Sequence, residues 1–269
     1  MKPCRTCECH IPDLARHCPH CRTAHRRGEW LPQTVLAIVA GVAGVAAAFD
    51  GCPAALGAVL PTDAIRPVAL PTIARLQYDG GGDWYANPSS LTNLLSEIAV
   101  RTGIRVEARA AEVRLSDPDL ADYPYLYLTG HGNVRFEDPD LERLRAYLER
   151  GGFLHVDDNY GLDESFRREV QRLFPDRDLV EVPVDHAIYR ILYELPEGLP
   201  KVHEHDGLPA QGFGIFINGR LVLYYSYQSD LGDGWEDPLV HDDPPEIREQ
   251  AIRMGVNLFL YALAMGPPR

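Results

Sequence analysis

Between Trp30 and Phe49 the chain runs for twenty residues without a charge. Twenty helical residues at 1.5 Å each span about 30 Å, the thickness of a bilayer's hydrocarbon core. This stretch therefore divides the chain before any other feature is weighed. Arg22, Arg26 and Arg27 precede it closely and Asp50 follows it. Basic residues are retained on the cytoplasmic side of a membrane, so residues 30–50 read as one transmembrane helix, with the N-terminus cytoplasmic and the C-terminal part extracytoplasmic. Other readings of the same residues stay open. Ala46-Ala-Ala48 has the small-residue form of a signal-peptidase site, an Ala/Gly-rich helix can be buried in a core, and Cys52 offers a lipidation thiol, although Asp50-Gly51 makes no lipobox with Phe49.

Charge divides at the same place. Residues 1–49 hold six Lys/Arg and three Asp/Glu of the chain's 26 and 39, leaving 20 and 36 for the remainder. So acidic a part repels phosphate backbones, and nucleic acid is not an expected partner. Cysteine is equally lopsided: Cys4, Cys7, Cys9, Cys18 and Cys21 lie within the first 21 residues, and only Cys52 follows. Cys4-Arg-Thr-Cys7 and Cys18-Pro-His-Cys21 stand ten residues apart, two turns that can present four thiolates tetrahedrally to one zinc ion. About thirty polar residues build no core of their own, so a structural zinc would supply most of the folding free energy of residues 1–29. His10, His17, His20 and Cys9 are alternative ligands. The segment resembles the short zinc-ribbon modules that open many bacterial membrane proteins, around Ile11-Pro-Asp-Leu-Ala-Arg-His17, with Glu8 and Arg22 where those modules usually carry Gly. A cytoplasmic protein partner is a natural role for it. Residues 51–72, with Pro53, Pro61, Pro67 and Pro71, read as a semi-extended linker.

From residue 73 to 266 strand and helix signals alternate, which predicts an α/β domain with a parallel sheet and helices on both faces. Strands are expected at Ile73–Tyr78, Ile104–Arg109, Tyr125–Thr129, Phe153–Asp157 and Leu179–Val182, and helices at 89–101, 139–150, 164–174 and 245–264. Asn218-Gly219 between apolar runs marks a hairpin. Ligands of open α/β sheets bind beyond the carboxyl ends of the strands. The candidate site residues there are His131 and Asn133, then Asp157, Asp158 and Asn159, with Asp185-His186 and Asp230 converging from other loops. Together they are able to hold a divalent cation or to act as acid and base on a small-molecule or glycan ligand. His131 also suits a tight turn between glycines, and Asp158 a helix cap. Gly80-Gly81-Gly82 lacks a P-loop lysine. His203-Glu-His205 reads as a solvated strand face, and His241-Asp-Asp243 as a polar loop.

Leu128-Thr-Gly-His-Gly132, Gly151-Gly-Phe-Leu-His-Val-Asp-Asp158, Pro183-Val-Asp-His186 and Asp230-Leu-Gly-Asp-Gly-Trp235 together resemble a bacterial family, domain of unknown function 4159, from about Ala74 to Ala264. That family is similar to the class I glutamine amidotransferase-like fold, which implies a flavodoxin-like sheet. Members of that fold with amidotransferase activity place a nucleophilic Cys after the strand corresponding to Phe153–Asp157. Here the turn is Asp157-Asp158-Asn159, so thioester chemistry has no thiol to start from. The expectation is a non-catalytic binding module, with a metal-assisted hydrolase as the alternative.

Overall fold

A computed structural model describes residues 69–266 and, nearer the N-terminus, the backbone of two short strands, β1 (Lys2–Pro3) and β2 (His10–Ile11), which pair antiparallel. Cys4, Cys7, Cys18 and Cys21, the stretch Trp30–Phe49, Cys52 and most of the linker lie outside the described residues. Among the described residues no helix is long and apolar enough to cross a membrane. The chain separates into compact units at Met1–Asp63 and Ala64–Arg269.

The second unit is α/β. Its elements are β3 (Ile73–Leu76), α1 (Ser90–Thr102), β4 (Ala111–Val113), β5 (Tyr125–Gly130), α2 (Asp138–Glu149), β6 (Phe153–Asp158), α3 (Asp163–Leu173), β7 (Val180–Glu181), β8 (Gln211–Ile217), β9 (Arg220–Tyr227), α4 (Leu231–Trp235), α5 (Pro238–His241) and α6 (Pro245–Met265). One seven-stranded sheet runs β4-β3-β5-β6-β9-β8-β7. The first five are parallel neighbours, in the spatial order 2-1-3-4-5 when counted along the chain, and β8 runs against both β9 and β7.

Strand periodicity sorts the core into two layers. On β5, Leu126 and Leu128 join Leu154 and Val156 of β6 against Leu144, Leu148, Phe166 and Val170 of α2 and α3. Tyr125, Tyr127 and Phe153, one position out of phase, meet Leu94, Leu95 and Ile98 of α1 and Met254, Leu258 and Phe259 of α6. The hairpin forms where Asn218 and Gly219 both take positive φ, 51° and 78°, as a type I′ turn demands. Helix α1 stops at Gly103, which is left-handed with its N–H returned to the Ala99 carbonyl.

The strand expected at Ile104–Arg109 is displaced. Pairing with β3 begins only at Ala111, opposite Ala74, and the preceding residues run unpaired past the start of β3, tied by Glu107 N to the Pro71 carbonyl and by Thr72 Oγ1 to the Arg109 carbonyl. The alternation of Ile104 and Val106 is real but is spent on that half-buried approach.

Candidate functional site

The sequence Asp157-Asp158-Asn159 ends β6, and alternation sends the two aspartates to opposite faces of the sheet. Asp158 turns toward α3, where its Oδ1 accepts the Leu162 N–H at 3.3 Å and closes the turn before that helix. Asp157 turns toward α1 and α6 and is wholly buried. It accepts hydrogen bonds from Ser226 Oγ at 2.5 Å, Tyr127 Oη at 3.1 Å, Leu231 N at 3.2 Å and Gly232 N at 2.6 Å. Burial pushes its carboxyl up to about 6, against the lowering effect of those donors. Ser226 also meets His155 Nε2 at 2.8 Å, and His155 Nδ1 meets Tyr125 Oη at 2.9 Å, so a hydrogen-bonded chain crosses the buried face of the sheet. Burial lowers His155 to about 3 and keeps it neutral.

Above this chain, at the carboxyl edge, the segment from Gln228 to Glu236 carries the polar cluster. Asp230 is forced into the left-handed region, φ 60°, and is 1% exposed. Its Oδ2 contacts His205 Nε2, whose ring stacks on Tyr160 with centroids 4.6 Å apart. Burial and then the Asp157 and Asp233 carboxylates raise Asp230 to about 9, so that contact retains a proton at neutral pH. Asp233 Oδ1 accepts from Asn87 Nδ2 at 2.7 Å, while its Oδ2 stands 2.8 Å from His203 Nδ1 and 3.7 Å from His241 Nδ1. His203 Nε2 meets Asp243 Oδ1 at 2.8 Å and His241 Nε2 meets Glu236 Oε2 at 3.2 Å. The Asp233 hydrogen bond is the first cause that lifts His203 to about 9. A ligand atom of each of His203, Asp233 and His241 lies within 4.8 Å of the others. By contrast, a cavity of about 250 Å³ at the opposite edge, bounded by Pro124, Tyr147, Gly151 and Gly152, is lined by no histidine or carboxylate.

The family described as domain of unknown function (DUF4159) matches residues 72–263. The chain belongs to that family. Comparison with curated proteins finds no match.

Within this DUF4159 domain the residues expected to form one site separate into four places, one of them the α3 face to which Asp158 turns. Asp157, Asn159 and Asp230 reach the polar cluster, Asn159 through Asn87 at 3.4 Å. His131 and Asn133 lie on the exposed rim after β5: His131 Nδ1 is 3.1 Å from Asp83 Oδ2, and Asn133 Nδ2 donates to the Gly80 carbonyl at 3.0 Å. The glycine run packs against that rim, and a Cβ on Gly80 would fall 2.7 Å from the Asn133 carbonyl. Asp185 and His186 do not converge with the others. The His186 ring packs on Phe216 and Tyr261, and Phe216 faces Leu221 at the start of β9, toward the sheet's amino edge. His203, His205, His241 and Asp243, which by sequence suit a solvated strand face and a polar loop, belong to the cluster instead. Residues 203–205 form a loop in place of the expected strand face, and their imidazoles are held by buried carboxylates. The available signal was the recurrence of His beside Asp or Glu in two loops, His203-Glu-His-Asp206 and His241-Asp-Asp243.

Proposed function

We propose that the protein is a single-pass membrane protein whose α/β domain lies outside the cytoplasm and binds a small polar ligand or glycan at the carboxyl edge of its sheet, without turning it over. The observation that carries this reading is the gathering of three imidazoles and three aspartates, His203, His205, His241, Asp230, Asp233 and Asp243, on the loops and short helices at that edge. Rigid scaffolds with polar loops at this position are the usual geometry of ligand sites in α/β folds. The amidotransferase thiol has no counterpart, since residues 69–266 contain no cysteine, and Ser226 and Ser229 are sealed in the interior. The 2-1-3-4-5 strand order is that of flavodoxin-like sheets and supports the amidotransferase-like reading of the domain. In the same reading residues 30–50 anchor the chain, Cys4, Cys7, Cys18 and Cys21 hold a structural zinc, and the ribbon they form engages a cytoplasmic protein.

Titrating the detergent-solubilised full chain with soluble glycan fragments tests the binding role calorimetrically. Saturable heat, lost in Asp230→Ala, with the glycan recovered unchanged, is expected. Chemical conversion of the glycan by the wild type and not by Asp230→Ala would overturn the non-catalytic reading in favour of metal-assisted hydrolysis, which the approach of His203, Asp233 and His241 also accommodates.

A further inference from the structure

We infer that His203, Asp233 and His241 form a binding site for one divalent metal ion of the zinc class, through His203 Nδ1, Asp233 Oδ2 and His241 Nδ1. This names a cofactor for the site discussed above and rests on that reading only for its location. Two imidazoles and one carboxylate are a donor set that borderline divalent ions favour, and three protein ligands leave a coordination position open to water or to an oxygen of a polar ligand.

The geometry points to an ion in three ways. Ligands about 2.1 Å from a tetrahedral ion stand roughly 3.4 Å from one another. The distances from Asp233 Oδ2 to His203 Nδ1 and to His241 Nδ1, 2.8 and 3.7 Å, lie on either side of that value. Each of the three side chains, moreover, is held from behind on its other polar atom: His203 Nε2 by Asp243, His241 Nε2 by Glu236, and Asp233 Oδ1 by Asn87. Outer partners of this kind fix the tautomer and aim of metal-binding histidines. What remains unengaged by those partners is one atom from each residue, and these three atoms face one another.

A further observation lies just outside the triad. Asp243 Oδ2, on a side chain only 7% exposed, and Asp230 Oδ1, on one 1% exposed, are buried oxygens with no hydrogen-bond partner. Both oxygens lack a donor, and desolvated polar oxygens without partners are costly unless positive charge lies close by. Asp233 and its neighbours Glu236 and Asp243 supply three buried or nearly buried carboxyls at the triad. A divalent cation meets that excess directly. On binding, His203 gives up its Nδ1 proton and keeps its Nε2–H on Asp243, so metal uptake releases a proton to solvent.

The test measures metal in the full chain purified in detergent, with no glycan present, so that its failure is distinguishable from failure of the ligand-binding role. In the proposed ribbon Cys4, Cys7, Cys18 and Cys21 would hold zinc of their own. The decisive protein therefore carries Cys4→Ser, Cys7→Ser, Cys18→Ser and Cys21→Ser, and is titrated with cobalt(II) after chelation. One equivalent bound, with a spectrum of nitrogen and oxygen ligation and no thiolate charge-transfer band, is expected. Adding His203→Gln, Asp233→Asn or His241→Gln abolishes it, and Asp243→Asn weakens it by roughly 10- to 100-fold. No cobalt bound by the chain lacking Cys4, Cys7, Cys18 and Cys21, or one equivalent bound equally by the triad variants, would overturn the assignment. Because the first titration uses unaltered triad residues, misfolding of a variant does not decide the result.

Discussion

His155 shows how a single buried residue ties the interior to the solvent's pH. Its two nitrogens face only the hydroxyls of Tyr125 and Ser226, and the rings of Tyr127, Tyr224 and Trp235 surround it. Burial holds it neutral down to about 3, whereas in the unfolded chain it takes a proton near its ordinary 6.5. Because the folded value is depressed, its neutral form costs nothing above about pH 6.5, and stability falls as pH drops from there toward 3 while the unfolded state gains a proton that the folded state refuses. His155→Gln should therefore flatten the acid limb of stability against pH, by up to about 1.4 kcal/mol per pH unit in that window. Urea midpoints measured between pH 6.5 and 4 check it, and an unchanged slope would mean that His155 is protonated in the folded protein.

At the scale of elements, α4 is the piece that couples core to site. Its five residues are too few to be helical by propensity, and they are fixed instead by Asp157 accepting the Leu231 and Gly232 N–H groups and by Trp235 Nε1 donating to the Ala251 carbonyl of α6 at 2.8 Å. A methyl on Gly232 would stand 2.5 Å from Tyr127 Oη, 2.6 Å from Asn87 Nδ2 and 3.1 Å from Asp157 Oδ2. Gly232→Ala should thus cost about 1–3 kcal/mol of stability as an overpacked position, and it should weaken metal and ligand binding more than a surface change of equal stability cost. Thermal melts read beside cobalt titration check both. A second element rests on one amide. Asn257 of α6 accepts from the Leu192 and Tyr193 N–H groups and donates to the Tyr193 carbonyl, all from a fully buried position. Asn257→Ala strands those backbone groups and should cost about 2–4 kcal/mol in urea unfolding.

The elements that sequence alone revealed were those with a strong period or a strong stop. The hairpin at Asn218-Gly219, α1 ending at Gly103 and the apolar runs of β5 and β6 carry their information locally. Half of the candidate site did not. Asp157 and Asp158 are adjacent in the chain but belong to opposite layers, which follows from the strand period once the strand is known to continue through residue 158. His203 and His241 meet only because two loops separated by β8, β9 and α4 return to the same edge, and no local pattern encodes that return. Asp185-His186, equally suggestive in composition, travels to the other edge because His186 finds an aromatic seat there.

For the whole molecule, the proposed membrane anchor makes a prediction of its own. In cells expressing the full chain, the α/β domain should sediment with membranes and be digested by protease added from outside, while a tag on the N-terminus stays protected. Release of the domain into a soluble fraction, trimmed near residue 48, would indicate cleavage in place of anchoring. The sheet has a bearing on what such a tether permits. It ends on its two shortest strands, β4 with three residues and β7 with two. Free backbone groups on an outer strand are what a neighbouring chain uses to extend a sheet, and here neither margin offers more than a few. Copies concentrated in a plane would therefore have little means of zipping into a continuous ribbon, and any self-association would have to be made by side-chain surfaces.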